Sequence, residues 1–99
     1  MLSQVAPERV ALVSGGGRGI GRGISLALAA VGVGVAINYR KDVAAAEQTA
    51  AEIVAAGGTA RIYAASVDDY EQDKAMVDAV GADFGHLDIL ANNAGIASR

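Results

Sequence analysis

Ser14-Gly15-Gly16-Gly17-Arg18-Gly19-Ile20-Gly21-Arg22 follows the apolar run Val10-Ala11-Leu12-Val13 and leads into a stretch of helical periodicity. Strand, glycine turn, helix is a phosphate-binding arrangement, because the opening N–H groups of the helix and the positive end of its dipole both point at the turn. Such a turn needs one glycine to bend out of the strand, one to let backbone approach a diphosphate, and one to let helix and strand pack closely. Gly15, Gly19 and Gly21 can fill those posts. The spacing G-x-x-x-G-x-G fits there and, less well placed after the strand, at Gly17, Gly21 and Gly23. G-x-G-x-x-G fits in no register, and a P-loop fails because Arg22 and Gly23 stand where Lys and Ser or Thr would be required. A flexible loop without a ligand is the competing reading of the same letters.

The chain around this turn has 99 residues, one Pro, no Cys and 53% hydrophobic content, which describes one small globular domain or part of one. At this size only about 60 to 65% of the unfolded surface is buried, so the core is thin. Without Cys there are no disulfides or thiolate metal sites, which suits a reducing cytosol, and a cytoplasmic location is expected. Residues 1–8 lack the basic and apolar blocks of a secretory leader. The longest nearly apolar run, 24–37, is broken by glycines and falls short of the roughly 20 residues of a membrane span, so no membrane partner is expected. A net charge of -3 with no Lys or Arg cluster offers nothing to nucleic acid.

Downstream, Ile20, Ile24, Ala27, Leu28 and Val31 recur at helical steps and predict one buried face, ending near Gly32. Residues 33–39 (VGVAINY) read as a strand covered on both faces. A second helix has Val43, Ala46, Ala50, Ile53 and Val54 as its expected face and is stopped by Gly57-Gly58. Residues 60–65 form a third strand, and Ser66-Val67-Asp68-Asp69 supplies an N-cap for a helix with inner positions Met76, Val77, Val80 and Phe84. After Gly85, residues 87–91 form a fourth strand running into Asn92-Asn93-Ala94-Gly95. The order β-α-β-α-β-α-β predicts an α/β, doubly wound parallel sheet of the Rossmann type, with ligands beyond the carboxyl ends of its strands.

Ser14-Gly15-x-x-x-Gly19-Ile20-Gly21, followed some way on by Asp88-Ile89-Leu90-Ala91-Asn92-Asn93-Ala94-Gly95, strongly resembles the short-chain dehydrogenase/reductase family. The resemblance covers essentially the whole chain but only the N-terminal half of a family member. It implies strand order 3-2-1-4. It also implies that the backbone of Gly15, Gly17, Arg18 and Ile20 lines a pyrophosphate, that Val67 lies against adenine, and that Asn93, Ala94 and Gly95 pass beneath the adenosine ribose, with Asn92 as a strut for the fourth strand. Ser14 stands where Thr is usual and can make the same loop-bracing bond. Ser66 replaces an Asp that accepts from the adenine amino group, so a weaker contact is expected. Ala91 replaces a larger aliphatic residue and leaves the core under-filled there.

NAD binders of this type carry an acidic residue about 20 residues beyond the turn, at the end of the second strand, for the ribose 2′-hydroxyl. Here Tyr39 and Arg40 occupy that place, and Arg40 can bind a 2′-phosphate through charge-assisted bonds. Arg18 resembles the second basic residue of NADP-preferring members. NADP(H) is therefore the expected cofactor. Asp42 is the alternative ribose partner, although it lies in the first turn of the next helix.

The family's catalytic Ser, Tyr-x-x-x-Lys and further Asn follow the position of Gly95, so no catalytic residue is expected among these 99. Tyr70-Glu71-Gln72-Asp73-Lys74 spells Tyr-x-x-x-Lys but precedes the Asn-Asn-Ala-Gly motif. Tyr70 also sits among Asp68, Asp69, Glu71 and Asp73, the opposite of the positive setting a proton-donating phenol needs. His86 reads as a loop residue. Residues 1–99 are thus expected to form a single, incomplete NADP(H)-binding domain. Its complete form would be an oxidoreductase exchanging a hydride with a carbonyl or alcohol substrate; the alternative is a truncated, inert nucleotide-binding half. An apolar edge at 87–91 predicts self-association or marginal stability.

Overall fold

The computed structural model describes residues 7–93. The expected site positions Ala94 and Gly95 lie outside the described residues. Four strands, β1 (Val10–Val13), β2 (Gly34–Tyr39), β3 (Ala60–Ala64) and β4 (Ile89–Ala91), alternate with helices α1 (Gly19–Ala30), α2 (Val43–Ala55) and α3 (Tyr70–Phe84). All pairings are parallel and the strand order is β3-β2-β1-β4, the order the resemblance implied. The chain winds outward from β1 to β3 and then returns to the other side of β1. The switch point therefore lies at the carboxyl end of β1, where the glycine turn begins.

The sheet is covered on both faces, which is why β1 and β2 show no alternation of apolar and polar residues. Val10 and Leu12 join Ala36, Ala65, Met76 and Val80 in the core beneath α3. Val13 joins Val35, Ile37, Ala46 and Ile53 in the core beneath α1 and α2. Asp42 caps α2 by accepting from the Ala45 amide at 3.1 Å, and Asp69 caps α3 by accepting from Glu71 and Gln72. α1 is different: Arg18 at its N-cap makes no side-chain cap bond. Among the described residues, no helix is long and apolar enough to cross a membrane.

Each of two helices keeps part of its expected face, with Ile24 and Leu28 of α1 and Ala46, Ala50 and Ile53 of α2 packed on the core, but not all of it. Ile20 and Val31 were expected inside but are 74% and 77% exposed, while Gly21 and Ser25 are the buried residues of α1. Val43 and Val54 of α2 are exposed too, and Thr49 is buried in their stead. The physical reason lies in what the helices touch. Where the helices meet the glycine turn, its carbonyls need hydrogen-bond donors and its closeness needs small residues, so Gly21, Ser25 and Thr49 take the inward places. Val31 and Val54 stand at the far ends of their helices. Strand β4 is shorter than the expected 87–91 for a related reason. Asp88 pairs with Val10 through its amide (to the Val10 carbonyl, 2.9 Å) and its carboxylate (from the Val10 amide, 2.9 Å), so a side chain replaces part of the ladder.

Candidate functional site

Beyond the carboxyl ends of β1 and β2 lies a cleft of about 630 Å³. Gly15, Gly17, Arg18 and Gly19 form one wall, residues 38–42 with Ala45 form the other, and Asn93 closes the β4 end. The three glycine posts are distinct in geometry. Gly15 leaves β1 with φ 63°. Gly19 has φ 59°, and a Cβ on it would meet no atom within 4 Å, so it would project into open space at the cleft wall. Gly21 lets α1 sit on the turn, for a Cβ there would stand 2.0 Å from the Gly15 carbonyl oxygen. A backbone surface that only glycine keeps open, at an uncapped helix N-terminus, suits a diphosphate.

The turn is braced from four directions. Ser14 is 3% exposed, and its hydroxyl donates to the Ala91 carbonyl at 3.3 Å and the Asn92 Oδ1 at 3.2 Å, tying the turn to the end of β4. Asn38, buried at the end of β2, accepts from the Gly15 amide through Oδ1 at 3.1 Å and donates through Nδ2 to the Ala65 carbonyl at 3.0 Å. Ser25 on α1 and Thr49 on α2 donate to the Gly16 and Gly17 carbonyls. Arg22 and Glu52 form an ion pair that ties α1 to α2; it holds the Glu52 carboxyl below its usual range.

Of the expected site residues, Gly15, Gly17, Arg18, Gly19, Tyr39, Arg40 and Asn93 line the cleft together. Ser14 and Gly21 lie buried behind it, and Ile20 stands exposed at the opening of α1. Ser66 and Val67 follow β3 at the same sheet edge but do not line the cleft; the Ser66 amide donates to Gln72 Oε1 at 2.8 Å and Val67 packs on the core beneath α3. Sequence reasoning missed Asn38, Ser25 and Thr49. The signal was present: each is a polar residue inside an apolar strand or on an inward helix face, where burial demands a partner.

Charge at the cleft is mixed. Arg18, Arg40 and Lys41 bring positive charge, and Asp42 answers it through an exposed pair with Arg18 at 3.2 Å. Away from the cleft, the Asp88 carboxyl is held below its ordinary value, first by the Val10 amide and then by His86, whose Nδ1 lies 2.6 Å away. Tyr63 is pushed up, by burial first and by its bond to Asp83 second. Tyr70 is 71% exposed at the start of α3, and Lys74 pairs with Asp78 at 3.1 Å. The Tyr-x-x-x-Lys spelling thus falls on a surface helix whose lysine is engaged elsewhere.

Comparison with known proteins places this geometry in a wider group. The sequence model of the short chain dehydrogenase family matches residues 9–99. The chain is 43% identical over 90 residues to the short chain dehydrogenase/reductase AacuN of Aspergillus aculeatus, covering 91% of this chain and 34% of that protein. It is 48% identical over 86 residues to the 3-oxoacyl-(acyl-carrier-protein) reductase FabG of Staphylococcus aureus, covering 87% and 35%. Among solved structures, a dehydrogenase/reductase from Sinorhizobium meliloti superposes with TM-score 0.85 at 35% identity, over 92% of this chain and 36% of that one. A short chain dehydrogenase from Burkholderia cenocepacia, in complex with NADP, superposes with TM-score 0.80 at 44% identity, over 83% and 34%. The chain thus spans about a third of the length of its relatives. Since the match runs through every strand and helix from β1 onward, what two motifs suggested is established by the whole: the chain belongs to the short chain dehydrogenase family.

Proposed function

We propose that this chain is the NADP(H)-binding part of a short-chain reductase, with residues 1–99 acting as one nucleotide-binding unit. The observation that carries the reading is that Arg18 and Arg40 line one cleft, with Tyr39 and not a carboxylate as the last residue of β2. In this reading the backbone of Gly15, Gly17, Arg18 and Ile20 binds the diphosphate at the start of α1. Arg18 and Arg40 bind the 2′-phosphate, Tyr39 covers the ribose side, and Ser66, Val67, Asn93, Ala94 and Gly95 frame the adenosine. Ser14 and Gly21 hold the turn in shape. Bound there, NADP(H) would supply the hydride that the complete enzyme exchanges with a carbonyl or alcohol carbon. The complex of the Burkholderia relative with NADP supports the cofactor choice. The same proposal places the protein in the cytoplasm, whose reducing conditions a chain without cysteine tolerates.

The 99 residues alone are proposed to bind without turnover, since Tyr70 and Lys74 are not a catalytic pair. Tyr70→Phe should leave nucleotide binding unchanged, and NADPH oxidation by the pure chain that this substitution abolishes would contradict the proposal. The cofactor reading is tested by the double variant Arg18→Ala/Arg40→Ala, titrated with both nucleotides. Its affinity for NADPH should fall to that for NADH. A retained preference for NADPH would overturn the assignment of both arginines.

A further inference from the structure

Two buried hydroxyls stand behind the turn, and the packing of a core does not require either. Thr49, fully buried on α2, donates to the Gly17 carbonyl at 2.8 Å. Ser25, fully buried on α1, donates to the Gly16 carbonyl at 3.1 Å. A helical Ser or Thr commonly turns back on a carbonyl of its own helix, and burying a hydroxyl is costly where Val or Ala would fill similar space. These two instead reach from separate helices to adjacent peptides of one turn. A carbonyl that bonds a fully buried hydroxyl points into the protein. Because a trans peptide is planar, its C=O and N–H point in opposite directions. Anchoring the Gly17 carbonyl inward therefore turns the Arg18 amide outward, and anchoring the Gly16 carbonyl does the same for the Gly17 amide. Gly17 and Arg18 both line the cleft.

We propose that Thr49 and Ser25 are positioning residues of the diphosphate cradle, a role that rests on the nucleotide reading above. In a glycine-rich turn the peptide planes have low barriers to reorientation. A plane flipped the wrong way presents a carbonyl oxygen to the diphosphate, exchanging attraction for repulsion. The two hydroxyls hold both planes in the binding orientation before the ligand arrives, so its binding carries no cost of ordering them.

The test uses Thr49→Val, Thr49→Ser and Ser25→Ala in the 99-residue chain, with thermal melts run alongside binding. NADPH carries a diphosphate and a 2′-phosphate; adenosine 2′-monophosphate carries only the latter, and its binding is followed by amide NMR shifts. Thr49→Val should weaken NADPH about ten-fold while leaving adenosine 2′-monophosphate unchanged, and Thr49→Ser should restore NADPH. Should Thr49→Val fail to fold, Ser25→Ala makes the same comparison, with the same selective loss expected. Folded variants that bind NADPH as the wild type does, or that lose both ligands equally, would overturn the positioning role and leave the nucleotide reading standing. A wild-type chain that binds neither ligand would overturn the nucleotide reading and this inference with it.

Discussion

Asp42 is the residue at which two demands on the cleft conflict. One carboxylate oxygen caps α2 through the Ala45 amide, and the other pairs with Arg18 at 3.2 Å. A 2′-phosphate has to compete with this carboxylate for Arg18. Asp42→Ser keeps a side-chain acceptor at the helix start and removes the charge, so stability should change by less than about 1 kcal/mol. Affinity for NADPH should rise by up to about five-fold, with NADH unaffected, since exposed pairs of this kind are worth little more. Isothermal titration of the variant checks this, and a lower NADPH affinity would contradict competition between Asp42 and the phosphate. Arg40 was legible in the sequence because one helix and one strand set its distance from the glycine turn, and Arg18 because it lies within the turn. Asn38, Ser25 and Thr49 were not, because a lone polar residue in an apolar pattern signals burial with a partner but not which partner. Only the fold brings Thr49 beside Gly17, 32 positions away in sequence.

At the scale of elements, every strand and helix was foreseen, and the errors were single positions on helix faces and element ends. Periodicity counts apolar residues; it does not weigh the backbone surface a helix must meet. α1 therefore turned Gly21 and Ser25 to the turn and left Ile20 exposed. Two glycines of this helix separate the effects. Gly21→Ala would place a Cβ 2.0 Å from a backbone oxygen that cannot move aside cheaply, whereas a Cβ at Gly23 meets nothing within 4 Å. Gly23→Ala should thus stabilise the chain by about 0.5–1 kcal/mol through helix propensity. Gly21→Ala should destabilise it by more than about 2 kcal/mol, or distort the turn, which urea melts of both variants would measure. Between β1 and β4 the joint is Asp88, whose carboxyl is held below its ordinary value of 3.8 chiefly by the Val10 amide. A carboxyl depressed in the folded state stabilises it above the unfolded value, and that contribution is lost as the pH falls through the lower folded value. The urea midpoint of the wild type should therefore fall more steeply below about pH 4 than that of Asp88→Asn, which begins lower at neutral pH. Parallel curves for the two would contradict the clasp.

At the scale of the molecule, β4 pairs with β1 alone among the described residues. Leu90 on it is 64% exposed, and Ile20 and Val31 add apolar surface elsewhere. An unpaired strand edge with an exposed leucine favours pairing with another chain. We expect concentration-dependent association in sedimentation velocity, reduced by Leu90→Lys without loss of helical signal; a wild type that remains monomeric through the millimolar range would contradict this. The alternation of elements predicted a parallel sheet and its ligand edge, whereas the strand order was implied by the family resemblance alone. The open edge at 87–91 was expected from the family resemblance; which helix positions stay bare was not readable from periodicity, because a local pattern says nothing of what packs against it from elsewhere. The central claim is that a cleft lined by Arg18 and Arg40, with Tyr39 and not a carboxylate as the last residue of β2, reads the 2′-phosphate. It is met most directly by calorimetric titration of the unmodified chain with NADPH and with NADH at one salt concentration. One charged hydrogen bond is worth about 1.5–3 kcal/mol, so NADPH should bind about ten- to a hundred-fold more tightly. Equal dissociation constants, or tighter binding of NADH, would contradict the account.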